Sequence, residues 1–297
     1  MSTHLWILFT IVAAGGQTLR NALQRDLIAV VGTVGATHVR FLYGLPFGII
    51  FLILMSAATG VAVPSASWTF LGWTALGGFG QILATGLMLQ AMRSKSFLVT
   101  IAYTKTEPVQ VALFGMVFLT EVPTPLLVAA ILVATLGVMI MSWPKPAEGE
   151  PRSWTPALLG VASGGLFGFS AVCFKGGIQA LATPSFLMAA STTLATGLAV
   201  QAIGLTIYLL ATDRPALAKL FAAWRPSVFA GFLGAFASQC WFLAFAIEPV
   251  AHVRTLGLVE ILFSLAVSRK LMAQMTSPRE GLGIALLVVG VLVVLNA

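Results

Sequence analysis

Glu107 and Glu260 each sit near the middle of a long apolar stretch, and the two stretches match at a constant offset of 153 residues. A carboxylate at the centre of a bilayer costs about 3 kcal/mol by insertion scales, so it persists where it meets a partner, a cavity or a moving solute. The chemistry open to two such acids is proton exchange, ion pairing with a solute, or both. Each acid falls ten residues into its stretch, counted from Phe97 and Val250. At 1.5 Å per residue that is roughly 15 Å deep, close to the midplane.

The residues around them extend the chemistry. Tyr103, Glu107 and Gln110 follow i, i+4, i+7 and would share one helix face. Lys105 would point off that face toward a different helix or snorkel to an interface. His252, Leu256 and Glu260 form a second stripe, with Arg254 directed elsewhere about one turn deep. The eighth apolar stretch supplies Gln239 and Trp241, the third Gln81 and Thr85, and the second opens with His38 and Arg40. Each has a plainer reading. The acids could have structural partners, for example Glu107 with Arg254 or Glu260 with Lys105. Arg40 and His38 could snorkel to head groups. The glutamines could be helix-to-helix hydrogen-bond partners, Trp241 could be packing, and the glycine pairs could be close helix approaches.

Elements must position these groups in lipid. Hydrophobic residues make up 59% of the chain and charged residues 8%, where a soluble domain carries about a quarter charged. Ten apolar stretches of roughly membrane-spanning length are expected at Leu5–Gln24, Gly32–Ala58, Trp68–Met92, Phe97–Thr120, Pro125–Trp143, Thr155–Gln179, Pro184–Ala211, Ser227–Ile247, Val250–Arg269 and Pro278–Leu295. Continuous apolar runs exclude a barrel, whose strands alternate, so the predicted class is all-α integral membrane. The first stretch lacks a preceding Lys or Arg and reads as a retained helix rather than a secretory signal.

The 153-residue offset also pairs Pro278 with Pro125, Gly290 with Gly137 and Gln274 with Glu121. Residues 1–143 and 155–297 then form two five-helix repeats joined by the polar loop 144–154. Five crossings return the chain to the opposite side, so the halves would be inverted around a central cavity. Cys173 and Cys240 lie inside spans with no disulfide or metal spacing, and no cofactor or metal is expected. The net charge of +7 is scattered over short loops, which argues against nucleic acid.

Arg40-Phe41-Leu42, Glu107-Pro108-Val109, Glu121 closing the fourth helix, and a glycine in the last helix of each half give the chain its resemblance. It resembles the drug/metabolite transporter superfamily, specifically the ten-helix EamA-like permeases. The resemblance implies a secondary carrier that moves small organic solutes by alternating access. Two departures stand in the second half, Ile261 in place of a proline and Gln274 in place of the closing glutamate.

The expected function is therefore a carrier, with protons as a second partner if the acids couple to a pH gradient, and a monomer or weak homodimer in lipid. If Arg40, Lys105 and Arg254 reach the cavity they outnumber the acids, which suits an amino acid or another zwitterion or anion. An exporter of organic cations is the alternative. A passive channel would carry polar residues at several depths. An intramembrane enzyme lacks its signatures: Asp26 and Asp213 lie at span ends, and His4, His38 and His252 have no metal spacing. Twelve Lys and Arg residues, Arg20 among them, follow odd-numbered helices, and only Lys175 lies toward the other side. The positive-inside rule then puts both termini outside the cytoplasm, although the resemblance suggests termini inside for many members. A bacterial inner membrane is the expected location.

Overall fold

A computed structural model describes residues 4–94, 97–141, 154–272 and 278–296. Every regular element among them is helical. Six helical stretches are long and apolar enough to cross a membrane: Leu5–Thr59, Trp68–Arg93, Thr155–Ala180, Phe186–Thr212, Trp224–Ile247 and Val250–Val267. Across the helices, Ile53, Val117, Leu158, Ile203 and Leu292 are exposed, side chains for which lipid is the fitting solvent. Exposed Trp68, Trp154 and Trp224 stand at helix beginnings, where an indole suits the head-group boundary. The chain is an all-α membrane protein.

The first stretch folds back on itself. Helix α1 (Leu5–Leu42) is interrupted at Gly32, with φ 71° and ψ 176°, a conformation open essentially to glycine alone. Gln24 Nε2 donates to the Ala36 carbonyl at 2.7 Å. In a straight helix those residues would be about 18 Å apart. The first limb therefore continues past its expected end at Gln24 to the Gly32 break. The second limb is broken again before α2 (Leu45–Thr59). There a Cβ on Gly231 would lie 2.5 Å from the Tyr43 carbonyl carbon, so α10 (Trp224–Ile247) presses directly on that backbone.

Helices α3 (Trp68–Ser94), α6 (Pro125–Met141), α7 (Thr155–Ala180), α8 (Phe186–Thr212), α10 and α13 (Pro278–Val294) follow the expected spans to within about three residues. Two expected spans are corrected. Phe97–Thr120 is α4 (Phe97–Thr104) and α5 (Glu107–Leu119), and Val250–Arg269 is α11 (Val250–Leu256), a 3-10 turn (Gly257–Val259) and α12 (Glu260–Met272). A short helix, α9 (Arg214–Ala222), was not expected; it buries Leu217 and Leu220 and is capped by Asp213, whose carboxylate accepts from the Ala216 amide at 3.0 Å. The longest packing seams run α3 along α7, α1 along α10 and α6 along α13.

Candidate functional site

Both acids open a helix, and each opens it at a break. Pro108, the second residue of α5, has no N–H to continue the ladder, so the chain turns at Lys105-Thr106 before α5 starts at Glu107. The turn keeps its own bonds, the Lys105 amide donating to the Ala102 carbonyl at 3.0 Å. Glycines of α7 receive it: a Cβ on Gly164 would sit 2.6 Å from the Thr104 carbonyl oxygen, and one on Gly160 2.4 Å from the Tyr103 Cβ. In the other half no proline follows Glu260, and the 3-10 turn makes the break instead. Gly257 permits it, because a Cβ there would meet the Trp241 ring at 2.7 Å.

The breaks exchange charges. Lys105 Nζ donates to Glu260 Oε2 at 2.5 Å, and Arg254 Nε lies 3.1 Å from Glu107 Oε1. The second contact is a charge pair without a hydrogen bond, and among the described residues Glu107 Oε1 has no hydrogen-bond donor. All four side chains are buried. The pairings named as the plainer reading of the sequence are thus the ones present. Removing one member of such a pair leaves an uncompensated charge in the core, which costs about 3–5 kcal/mol.

Around Glu260 a further shell forms. Gln17 Nε2 donates to its Oε2 at 2.7 Å, Asn21 Nδ2 to its Oε1 at 3.1 Å, and Gln17 accepts from Trp241 Nε1 at 3.0 Å. Trp241 also lies under Arg254, whose guanidinium carbon is 4.5 Å from its ring centroid. Trp241 therefore joins both acids' surroundings. Gln17, Arg20, Asn21 and Gln24 are not among the site residues expected from the sequence, although their spacing of i, i+3, i+4, i+7 is a polar stripe on one helix face.

Other sequence candidates fall elsewhere. Because both spans are broken, neither expected stripe survives as one helix face. Tyr103 belongs to α4 and packs on Gly160, while Gln110 lies in α5 against Gly165. His252 faces Glu248 at 3.2 Å and Trp6, not Glu260. Gln81 accepts from Gln201 at 2.9 Å and Gln239 donates to Ser191 at 2.9 Å, the interhelical roles of the plainer reading. Arg40 does not snorkel: it is 2% exposed, donating to Thr85 Oγ1 at 3.3 Å and to Ser238 Oγ at 3.2 Å. His38 is buried too, its Nε2 2.9 Å from Thr206 Oγ1. Arg20 is 1% exposed inside α1, which removes it from the loop cations. Lys95, Lys145 and Arg152 lie outside the described residues.

A second charged cluster gathers at the ends of α5 and α10. Glu121 accepts from the Val250 amide at 3.3 Å, and Lys175 Nζ donates to the carbonyls of Phe245 at 2.5 Å and Glu248 at 3.2 Å. Burial raises the carboxyls of Glu121 and Glu248, and Lys175 between them draws both back down. Among the described residues no group of three or more His, Cys, Asp or Glu could hold a metal ion.

No family model and no curated protein matches the chain. A protein solved by crystallography is similar in fold, with a TM-score of 0.69 at 18% identity over 98% of this chain and 96% of its own. At that identity the likeness extends to the helix arrangement alone.

Proposed function

We propose that the chain is a secondary carrier of small organic metabolites, working by alternating access between two inverted five-helix halves. The observation that carries this reading is the reciprocal exchange of charge between two helix breaks related by the 153-residue offset. Helix bounds support the repeat: α4, α5 and α6 begin at 97, 107 and 125, and α11, α12 and α13 at 250, 260 and 278. The packing seams support it as well. The repeat turns the α3–α7 seam into the α10–α1 seam and turns α6–α13 into itself. Counting the hairpin in Leu5–Thr59 as two crossings and each broken span as one gives ten.

Discontinuous helices at the interface between inverted repeats are where carriers hold solutes and coupling ions. Here each break offers one carboxylate and one cation to the opposite half. A solute with a carboxylate or an amine can displace one partner of either pair, and so can a proton taken by a glutamate. Relative movement of the halves then requires the pairs to part and re-form. This favours zwitterionic or anionic metabolites, amino acids among them, over organic cations. The drug/metabolite transporter superfamily, in its EamA-like branch, fits the residues and the order of helices. The remaining loop cations support non-cytoplasmic termini in a bacterial inner membrane.

Counterflow in proteoliposomes across zwitterionic, anionic and cationic solutes tests the reading, with and without an imposed pH gradient. Saturable counterflow is expected, and a response to the gradient would add proton coupling. Unitary currents without saturation would replace the carrier with a channel.

A further inference from the structure

The buried charges do not balance. Among the described residues, Arg20, Arg40, Lys105 and Arg254 face only Glu107 and Glu260, and the two ion pairs use both carboxylates. Arg20 and Arg40 are left, and among the described residues neither has a carboxylate within ion-pair distance.

The two arginines are neighbours. A Cβ on Gly234 would lie 3.1 Å from Arg40 Cγ and 3.3 Å from Arg20 Cδ, so both stems cross α10 at one glycine. Their polar ends are underused. Arg20 spends one N–H on Asn21 Oδ1 at 2.6 Å, leaving Nε and Nη1 without a protein acceptor, and Arg40 leaves its Nε so. The acceptors they do have are neutral: an amide and two hydroxyls. Two guanidiniums side by side in a core repel each other, and Arg254 adds to the repulsion. Burying a cation is costly unless it is paired. A helix-packing role would be served by neutral residues at far lower cost. The arrangement suits a group that brings two or more acceptor oxygens and negative charge, for which a guanidinium fork is the fitting partner.

We infer that Arg20 and Arg40 form an oxyanion subsite that receives the carboxylate or phosphate of the transported solute, next to Glu260. The inference rests on the carrier reading and narrows it. Asn21 bridges the parts: it accepts from Arg20 and donates to Glu260 Oε1. An arriving anion would lie beside a carboxylate already held by Lys105, Gln17 and Asn21. A solute amine would find Glu260, and its acid end the two arginines. Gly234 is then a specificity position, because any side chain there would push on both stems.

Purified protein tests this with inorganic phosphate, acetate and, as a cation control, choline, each at constant ionic strength. Phosphate, acetate or both are expected to raise the unfolding temperature, as a ligand of the folded state does, and choline is not. Which of the two acts distinguishes a phosphate ester from a carboxylate. Arg20→Met and Arg40→Met should each weaken the effective anion at least tenfold. No anion response in the wild type, or an unchanged response in both variants, would overturn the subsite. If the variants do not fold, phenylglyoxal labelling of the wild type decides: phosphate or acetate should slow modification of Arg20 and Arg40 but not of exposed Arg93. Equal rates would overturn it. Counterflow separates this inference from the carrier reading. Saturable counterflow of a cation with no anion response leaves the carrier and removes the subsite, while anion binding at both arginines without counterflow of any solute does the reverse.

Discussion

The two charged clusters use the same residue types under opposite terms. At the helix breaks Lys105 and Arg254 pair with two carboxylates, with Arg20 and Arg40 of α1 close by; all six side chains are buried, and the ion-pair partners come from helices far apart in sequence. At the ends of α5 and α10, one cation sits between Glu121 and Glu248, the carboxylates are half-buried, and Lys175 spends its hydrogen bonds on backbone carbonyls. The first cluster has unspent donors, whereas the second is largely satisfied by the fold itself. The unspent donors of the first cluster are what the proposed oxyanion subsite rests on, whereas Lys175 is held by backbone carbonyls at a helix end.

The comparison is broken most severely at Glu260. Glu260→Ala removes the acceptor for Lys105, Gln17 and Asn21 together, and a loss of about 3–5 kcal/mol in thermal unfolding is expected. Lys105→Met combined with Glu260→Leu should restore much of that stability while transport stays lost, because a hydrophobic pair can replace a buried ion pair in packing. Arg254→Met should follow, exposing Glu107 to an unpaired interior and vacating the Trp241 face. Trp241→Phe should cost less, on the order of 1 kcal/mol, by removing the hydrogen bond to Gln17 while keeping an aromatic face.

The end cluster should respond more mildly. Lys175→Met is expected to cost about 2 kcal/mol, from charged hydrogen bonds lost at the end of α10. Its pH dependence has a definite sign. Burial raises Glu121 and Glu248, so their contribution to stability is full below the ordinary carboxylate value and is lost as pH rises through the raised values. Unfolding temperature should therefore fall as pH rises from the ordinary carboxylate range through the raised values and level off above them, and Glu121→Gln with Glu248→Gln should flatten the fall. The smallest effect belongs to Asp213→Ala, about 1 kcal/mol or less, read as faster amide exchange in α9 alone.

How much of this could be read from residues alone follows from what each feature depends on. Apolar runs depend on composition, so the helical class and six of the expected spans were legible. Buried acids at matching offsets were legible too, together with their partners Arg254 and Lys105. The breaks were not. Pro108 signals one of them, but its counterpart arises at Gly257 from contact with Trp241, which no local pattern announces. Because the breaks divide both spans, Tyr103 and Gln110 do not share one helix, nor do His252 and Glu260. Arg20 reads as a loop charge when the apolar run alone sets the helix end at Gln24, whereas the backbone reversal lies at Gly32. The polar stripe Gln17, Arg20, Asn21, Gln24, at i, i+3, i+4, i+7, is the one signal in the sequence that the helix runs past that boundary.

The central claim is that the matched acids at the two breaks hold the cargo or its coupling proton. Counterflow by folded Glu107→Gln and Glu260→Gln proteins in liposomes tests it most directly. Loss of counterflow in both variants, with the unfolding transition still cooperative, is the expected result; wild-type rates in both would contradict it.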